Sequence, residues 1–431
     1  YISLGQRLQG KTFYKNIFRL PPASVLSVDR SGSVSLIRYY EPEYEHHADT
    51  KEQLQIIEDT LLHALSIRIQ RSGIAFGLSG GLDSRITLAA LKKLGMTDHV
   101  TALTHGLADS HDMTIAARLA KRYRMPHRQI IFDDDFFTEL PHRWREVTKL
   151  SEGGLGIESA YALASWHRQS KQFGISMESH GGPLFRRQIL KAREGTLERA
   201  NNFPDALFGY VSSALLSSDI IKDDIAAHAR AAGRNAMEEY FSSFSADLKA
   251  GDKIDRFYLE QMCANKYALS ANAQIHFLGL SHPLLSLKAY NAATKITENE
   301  RKSNGIYKYL LNRFAPELKY FQVDNSGYSV PYLGYRMLRY APPLYEKIVQ
   351  KLPKSFHKLS LRRPAIVHRM VAQKNFEALQ ELLLEPNGKS DHFFIRSNLE
   401  KALSDFQSGR KDNFAVLIQA ANLRLLLELF A

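Results

Sequence analysis

The sequence predicts an α/β protein built on a doubly wound parallel sheet. From about residue 50 onward, amphipathic helical segments alternate with short apolar strands, which is the pattern of a parallel sheet with helices between its strands. The first of these strands runs directly into a turn rich in glycine and serine, and a helix follows at once. We therefore expect a ligand to bind at the carboxyl ends of the strands.

The predicted elements follow one another in pairs along the first half of the chain. They are helix 51–71, strand 73–79, helix 83–94, strand 99–105, helix 111–123, strand 127–132, helix 157–171 and strand 173–177. Past residue 190 the pattern is almost wholly helical, with helices at 255–273, 304–315 and 413–430. Near the N-terminus, the apolar segments 24–28 and 33–37 flank turn residues and predict a short β-hairpin.

The segment 77–84, Gly-Leu-Ser-Gly-Gly-Leu-Asp-Ser, connects the first strand to its helix. Adjacent glycines let the backbone turn sharply and bring N–H groups close to a ligand, while Ser79 and Ser84 add hydroxyl donors. The positive end of a helix follows, which suits an oligophosphate. Asp83 repels such an anion unless a cation lies between them, which predicts Mg²⁺ at Asp83. The Lys-Ser/Thr pair of a Walker loop is missing.

Composition sets bounds on the class of protein. With 431 residues, 44% of them hydrophobic, the chain is able to bury two or three cores. A net charge of +12 is compatible with ATP and also with nucleic acid. The single cysteine, Cys263, favours a reducing, cytoplasmic compartment, and its helical context predicts a packed thiol. No apolar run reaches the roughly 18 residues of a membrane span.

The glycine loop resembles the pyrophosphate loop of the ATP pyrophosphatases. In that superfamily, ATP is cleaved between its α and β phosphates, and AMP is placed on a carboxylate or carbonyl oxygen. The resemblance implies a five-stranded sheet of the adenine nucleotide α-hydrolase type, and ATP and Mg²⁺ as cofactors. It also implies that the pyrophosphate is held by Leu78, Ser79, Gly80, Gly81, Leu82, Asp83 and Ser84, with Asp83 as the metal ligand.

The first 45 residues look like the closing strands of the glutaminase domain of glutamine-hydrolysing asparagine synthetases. The resemblance implies an incomplete glutaminase-like remnant at 1–45, an asparagine synthetase-like ATP pyrophosphatase domain at 46–335 and a helical C-terminal extension at 336–431. Because the sequence opens at Tyr1 in mid-pattern, we expect a longer protein. A glutaminase domain upstream, or supplied in trans, is therefore an expected partner.

Further landmarks follow in the order of the asparagine synthetase family. Thr104-His105-Gly106 and Ser110-His111-Asp112 are similar to the family's second strand and its adenine-side loop, which implies that His105 lies beside the adenine. Residues 281–286 resemble its Arg-x-Pro-Phe-Leu-Asp stretch, with serine at both charged positions. The segment 308–311 resembles the one that carries the catalytic lysine. This last resemblance implies that Lys308 stabilises charge on the phosphates.

The family's acidic segment is altered in this chain. Asparagine synthetases carry Ser-Gly-Glu-Gly-x-Asp-Glu-Leu-Phe-Gly-Gly-Tyr, and residues 177–187 correspond to it. When Leu-Phe at 184–185 anchors the alignment, the metal-binding aspartate becomes Gly182 and the first acidic position becomes Ser179, with Glu178 one residue away. These losses leave the ATP loop intact and alter the acceptor pocket, so a substrate other than aspartate is a distinct expectation.

The same segment supplies the remaining candidate site residues. A bend is able to return Glu178 to the reaction centre, where it becomes the second catalytic candidate beside Lys308. Gly181 and Gly182 are expected to bind the nucleotide phosphates. Arg186, together with its neighbour Arg187, replaces the family's Gly-Gly and is able to clamp a phosphate or carboxylate in bidentate fashion.

The predicted function is an ATP-dependent, AMP-forming carbon–nitrogen ligase. It adenylates a small-molecule or peptide carboxylate and forms an amide with ammonia or another amine. Open alternatives are an amide-forming cyclase or amidase-ligase of secondary-metabolite, peptide or saccharide biosynthesis, and a non-catalytic nucleotide-binding homologue. A tRNA-modifying ligase is suggested by charge alone. The basic segment 351–374 has almost no aromatic residues for base stacking, so nucleic acid is not the expected partner.

Overall fold

An antiparallel β-hairpin lies near the start of the computed structural model, which describes residues 1–44, 49–69, 73–187, 194–321, 366–386 and 389–430. Strands β1 (Ser24–Val28) and β2 (Val34–Arg38) pair along their whole length. The Asp29 carboxylate closes the turn, because it accepts hydrogen bonds from the backbone N–H groups of Ser31 (2.8 Å) and Ser33 (3.0 Å). Apolar side chains of both strands are exposed.

Five parallel strands form the central sheet of the described residues. They are β3 (Ile74–Gly77), β4 (Thr101–Gly106), β5 (His127–Ile131), β6 (Ile175–Met177) and β7 (Gly279–Ser281). The strand order β5-β4-β3-β6-β7 reverses its direction at β3, so the sheet is doubly wound, as predicted. Such a reversal opens a crevice outside the carboxyl ends of the strands. The glycine loop that follows β3 therefore lies at the edge where these sheets bind ligands.

Helices cover the sheet and form the rest of the described fold. In the first half they are α1 (Thr50–Arg68), α2 (Leu82–Leu94), α3 (His111–Arg122), α4 (Asp134–Thr138), α5 (Trp144–Leu150), α6 (Ala160–Ser170) and α7 (Gly182–Arg186). In the second half they are α8 (Glu194–Glu198), α9 (Phe203–Val211), α10 (Asp223–Ser242), α11 (Ala250–Phe257), α12 (Ala268–Ile275), α13 (Leu287–Lys295), α14 (Glu298–Lys302), α15 (Gly305–Phe314), α16 (Ile366–Lys374), α17 (Phe376–Leu384), α18 (Arg396–Gln407) and α19 (Phe414–Phe430). A π-helical segment, Tyr258–Tyr267, interrupts the predicted helix 255–273 between α11 and α12.

Two buried cores hold these layers together. One core joins β3 to α1, α2, α3, α13 and α15. The other joins α4, α5 and α6 to α9, α10 and α11 and to the C-terminal helices α16 to α19. The C-terminal helices therefore share a core with the middle of the chain, and the expected domain boundary at residue 336 lies outside the described residues. Among the described helices, none combines the length and apolarity that crossing a membrane requires.

Glu317 ties a short 3₁₀ segment, Pro316–Tyr320, to the helices on the sheet. Its Oε1 accepts hydrogen bonds from the Lys92 ammonium (2.7 Å) and the Tyr123 hydroxyl (2.6 Å). Burial raises the pKa of the Glu317 carboxyl, but these donors outweigh it and hold the pKa at about 2. The folded pKa is thus lower than the unfolded value of 4.5, so this stabilisation is present at neutral pH and is lost as the pH falls through that interval.

Glu317→Gln is expected to flatten the acid dependence of stability. The wild-type free energy of unfolding should fall more steeply than that of the variant between pH 4.5 and about 2, because only the wild type loses a charged acceptor there. Urea titrations across this window measure the difference. Glu198→Gln, at an exposed position, serves as the control. Parallel curves for the wild type and Glu317→Gln would contradict the assignment.

Candidate active site

The glycine loop turns at the carboxyl end of β3 and enters α2. The Ser79 N–H donates to the Ser84 Oγ (3.2 Å), and the Gly81 N–H donates to the Ser79 Oγ (3.1 Å). The Gly80 N–H donates to the Asp112 carboxylate (2.7 Å). These bonds make the loop compact. They also mean that three loop N–H groups, which the sequence pattern predicts to bind phosphate, already donate to side chains of the protein. The first turn of α2, beginning at Leu82, carries no side-chain cap and presents its amides to an anion.

A cleft of about 480 Å³ opens over this loop and extends to both sides of β3. Its floor contains most of the predicted loop residues. These are Leu78, Ser79, Gly81, Asp83 and Ser84. The side over β4 and β5 has an aromatic wall, whereas the side over β6 has a polar wall. The structure therefore brings His105, on β4, and Glu178, after β6, into one space with the loop.

The aromatic wall consists of His105, Phe132, Tyr161 and His368. The rings of His105 and Phe132 stack with centroids 5.7 Å apart, and Tyr161 meets His368 edge to face at 5.3 Å. The His368 Nδ1 donates to the Glu158 carbonyl (3.2 Å), which fixes its ring. His105 faces the open cleft but is surrounded by protein, so desolvation lowers its pKa, against the opposing charge of Glu178. Such a wall suits a planar heteroaromatic ring.

The polar wall contains Glu178 and His180, with His282 behind them. The Glu178 Oε1 accepts a hydrogen bond from the Ser176 Oγ (2.7 Å). Gly77 gives the carboxylate its space, because a Cβ at that position would overlap it. The rings of His180 and His282 lie edge to face, 5.0 Å apart, and burial lowers the pKa of both. At neutral pH these imidazoles are therefore neutral and able to accept a proton.

Asp83 is held by a cationic and a phenolic donor. The Arg186 Nη2 lies 3.0 Å from its Oδ1 and 3.2 Å from its Oδ2, and the Tyr307 hydroxyl donates to Oδ1 (2.8 Å). Gly182 lies against the same carboxylate, since a Cβ there would overlap its oxygens. In the part of the chain that the structure describes, no three His, Cys, Asp or Glu side chains are placed to hold a metal. This donor set does not fit the predicted Mg²⁺ ligand role of Asp83.

Two other candidates lie away from the cleft lining. Lys308 follows Tyr307 on α15 and is partly buried, but it does not line the cleft, so its catalytic role stays a prediction. Arg187 is 2% exposed and forms an ion pair with Asp252 (2.9 Å), so the predicted clamping of a substrate by Arg187 is wrong. Burial raises the pKa of the Cys263 thiol to about 12, as expected of a packed, unreactive cysteine.

Four residues of the site were assigned no role from the sequence. Asp112 stands at the start of α3, after the carboxyl end of β4, and its place in a strand-to-helix turn was a signal that could have been used. Tyr161, Tyr307 and His368 lie on helices α6, α15 and α16, far from the loop in sequence. Their helical patterns are those of ordinary packing. Only the fold reveals that Tyr161 and His368 line the cleft and that Tyr307 contacts Asp83 beneath it.

The fold and the site define an α/β protein with a glycine-rich strand–loop–helix turn beside an aromatic wall. The sequence model of the asparagine synthase family matches residues 57–317, which is more than half of the chain, and the chain belongs to this family. Membership supports an ATP-using, amide-forming ligase. Among solved structures, NMN synthetase from Francisella tularensis is similar at 20% identity and a TM-score of 0.24; the match covers 32% of this chain and 58% of that one. Among the curated proteins compared, none matches the present chain.

Proposed function

We propose that this chain is an ATP-dependent, AMP-forming carbon–nitrogen ligase. It adenylates a substrate carboxylate, releases pyrophosphate and forms an amide with ammonia or another amine. The observation that carries this proposal is the shared cleft, in which the glycine loop lies between an aromatic wall and a polar wall. The aromatic wall around His105 and Phe132 supports binding of the adenine there. The polar wall around Glu178 and His180 supports binding of the acceptor carboxylate and the amine.

The proposed reaction has two steps, adenylation of the carboxylate and formation of the amide. A carboxylate oxygen of the substrate attacks the α-phosphorus of ATP, the bond to the α,β-bridging oxygen breaks, and pyrophosphate leaves with the electron pair. The amine nitrogen then attacks the acyl carbon, AMP leaves, and the nitrogen loses a proton. The first turn of α2 stabilises the charge on pyrophosphate. In the second step, Glu178 or the neutral His180 accepts the proton.

The acceptor that this site favours differs from aspartate. Asparagine synthetases carry acids where this chain has Ser179 and Gly182, and the polar wall presents a hydroxyl and an imidazole in their stead. The space at Gly182 is taken by the Asp83 carboxylate. We therefore extend the proposal to carboxylates of peptides, saccharides or secondary metabolites, including intramolecular ring closure.

The direct test is pyrophosphate release by the purified chain with ATP, Mg²⁺, an amine and a panel of carboxylates that includes aspartate. We expect release with at least one carboxylate. Lys308→Ala should lower turnover by about tenfold or more while ATP still binds, since charge on the leaving group is then less well stabilised. Lys288→Ala, at an exposed position on α13, is the control.

The same assay separates the ligase from its main alternative. A non-catalytic nucleotide-binding homologue would bind ATP, form no AMP with any acceptor and respond to Lys308→Ala no more than to Lys288→Ala. Failure to bind ATP, together with no pyrophosphate release, would contradict both readings. Salt-sensitive binding of tRNA would instead favour a tRNA-modifying ligase.

The hairpin supports a further part of the proposal, a glutaminase-like domain that packs on residues 1–45. Apolar side chains of β1 and β2 are exposed on both faces of the hairpin, and large exposed apolar patches mark interaction sites. The most exposed of them are Val28, Val34 and Ile37. Glutamine-dependent turnover by the product of the complete reading frame, or by this chain with an added glutaminase domain, tests this partner. Turnover with free ammonia alone in both preparations would contradict it.

A further inference from the structure

We propose that the guanidinium of Arg186 replaces a divalent cation beside the glycine loop, so that this chain binds the ATP phosphates without a metal ion held by Asp83. The inference rests on the proposed function, since it requires that the loop bind a nucleotide. It assigns to Arg186 a charge-neutralising and positioning role at that loop.

Asp83 creates an electrostatic problem for any polyphosphate. It lies in the first turn of α2, lines the floor of the cleft and presents a carboxylate beside the amides that would bind the phosphates. A carboxylate there repels a polyphosphate unless a positive charge lies next to it. Arg186 supplies that charge, because its Nη2 lies 3.0 Å and 3.2 Å from the two carboxylate oxygens. Arginine remains protonated at all physiological pH values, so this cation is permanent.

The fold holds this pair in place through α15 and α7. Tyr307, which is 1% exposed, donates to Asp83 from α15, and the Arg186 guanidinium carbon lies 5.3 Å from the centroid of the Tyr307 ring. Arg186 is the last residue of α7, and that short helix begins two residues after His180, which lines the cleft. Both Asp83 oxygens are engaged by Arg186, and Oδ1 also accepts from Tyr307, so a metal ion at this carboxylate would compete with the guanidinium.

Gly182 belongs to the same arrangement. A side chain at this position would overlap the Asp83 carboxylate, so glycine is what lets Asp83 and Arg186 meet. A second acid at residue 182 would place two like charges against each other and would recruit a cation between them. Glycine at 182 and arginine at 186 therefore act together. The arginine supplies the positive charge next to Asp83 that a metal ion would have to supply if residue 182 were a second acid.

The experiment measures the affinity of the full 431-residue chain for ATP by calorimetric titration, once with excess Mg²⁺ and once with excess EDTA. We expect wild-type affinities that agree within about tenfold in the two buffers. Arg186→Gln should lose at least about tenfold more affinity in EDTA than in Mg²⁺, because Asp83 is then free to hold the ion. Arg186→Lys should behave like the wild type. Arg199→Gln, at an exposed position outside the cleft, is the matched control.

A double variant tests whether restoring the acid and removing the arginine makes ATP binding depend on a metal ion. Gly182→Asp combined with Arg186→Gly restores an acid and removes the cation, so ATP binding should become strictly dependent on Mg²⁺, with folding verified by circular dichroism. Three results would overturn the inference. The first is wild-type ATP binding that EDTA abolishes, and the second is an Arg186→Gln loss of affinity in EDTA equal to that of Arg199→Gln. The third is no ATP binding in either buffer. Pyrophosphate release is a separate readout: its absence alongside metal-independent ATP binding overturns the proposed ligase and leaves the role of Arg186 standing.

Discussion

Replacing Arg187 with methionine is expected to lower the free energy of unfolding by about 3–5 kcal/mol. The Arg187 side chain is 2% exposed and lies within 4 Å of four acids: Asp252 (2.9 Å), Glu194 (3.7 Å), Glu298 (3.8 Å) and Asp255 (3.9 Å). Burial already raises the pKa of Asp255, against the opposing charges of Arg301 and Arg187. Methionine conserves much of the apolar stem but leaves the buried carboxylates of Asp252 and Asp255 with less positive charge beside them.

Urea denaturation of Arg187→Met measures this loss, and Arg186→Met is its matched control. The control removes a single ion pair, with Asp83, whose side chains are 20% and 28% exposed, so it should cost clearly less than Arg187→Met. Arg187→Met combined with Asp252→Asn should recover part of the lost stability, because one buried charge then disappears with its partner. Equal destabilisation by the two methionine variants would show that the acids around Arg187 are not held by it.

The contrast between Arg186 and Arg187 shows where sequence reasoning stops. Both replace the family's Gly-Gly and offer the same guanidinium to a phosphate or carboxylate, yet α7 ends between them. Arg187 has φ +47 and turns into the protein, whereas Arg186 remains on the helix and contacts Asp83. Adjacent residues at a helix end diverge in direction, and the direction depends on the packing of distant elements such as α11 and α14. No local pattern contains that information.

The sheet was predictable because its signals are local. The loop 77–84 has the composition of a strand-to-helix turn, and α2 and α3 end within one residue of their predicted limits because apolar periodicity and capping residues mark them. Strand β7 was not located, since Gly279–Ser281 is three residues long and only partly buried, which is too short for a readable period. The π-helical turns at 258–267 leave an apolar pattern that resembles an ordinary helix.

The predictable part of the site is the set of residues in the glycine loop and at the neighbouring strand ends. Ser79, Asp83, His105 and Glu178 lie at or after the carboxyl ends of strands that share one edge of the sheet, so their proximity follows from the topology. The partners of the loop come from elsewhere: Asp112 holds Gly80, and Tyr307 holds Asp83. Because these contacts join segments far apart in the chain, they are consequences of tertiary packing. The ion pair between Asp83 and Arg186 is a tertiary contact of the same kind.

Gly181→Ala is expected to reduce pyrophosphate release by about 100-fold, the loss that a misplacement of roughly 1 Å produces at a reaction centre. Gly181 caps α7 with φ +108, which alanine adopts only under strain of about 1–3 kcal/mol, and a Cβ there would lie 2.7 Å from the Leu285 side chain. Relief of that strain moves the start of α7, and with it Arg186, away from Asp83. Gly195→Ala, on α8, is the control, because its Cβ would meet only the end of a side chain at 3.9 Å. Steady-state kinetics with thermal unfolding measure both effects; a variant as active as Gly195→Ala would show that the turn from β6 into α7 does not position this site.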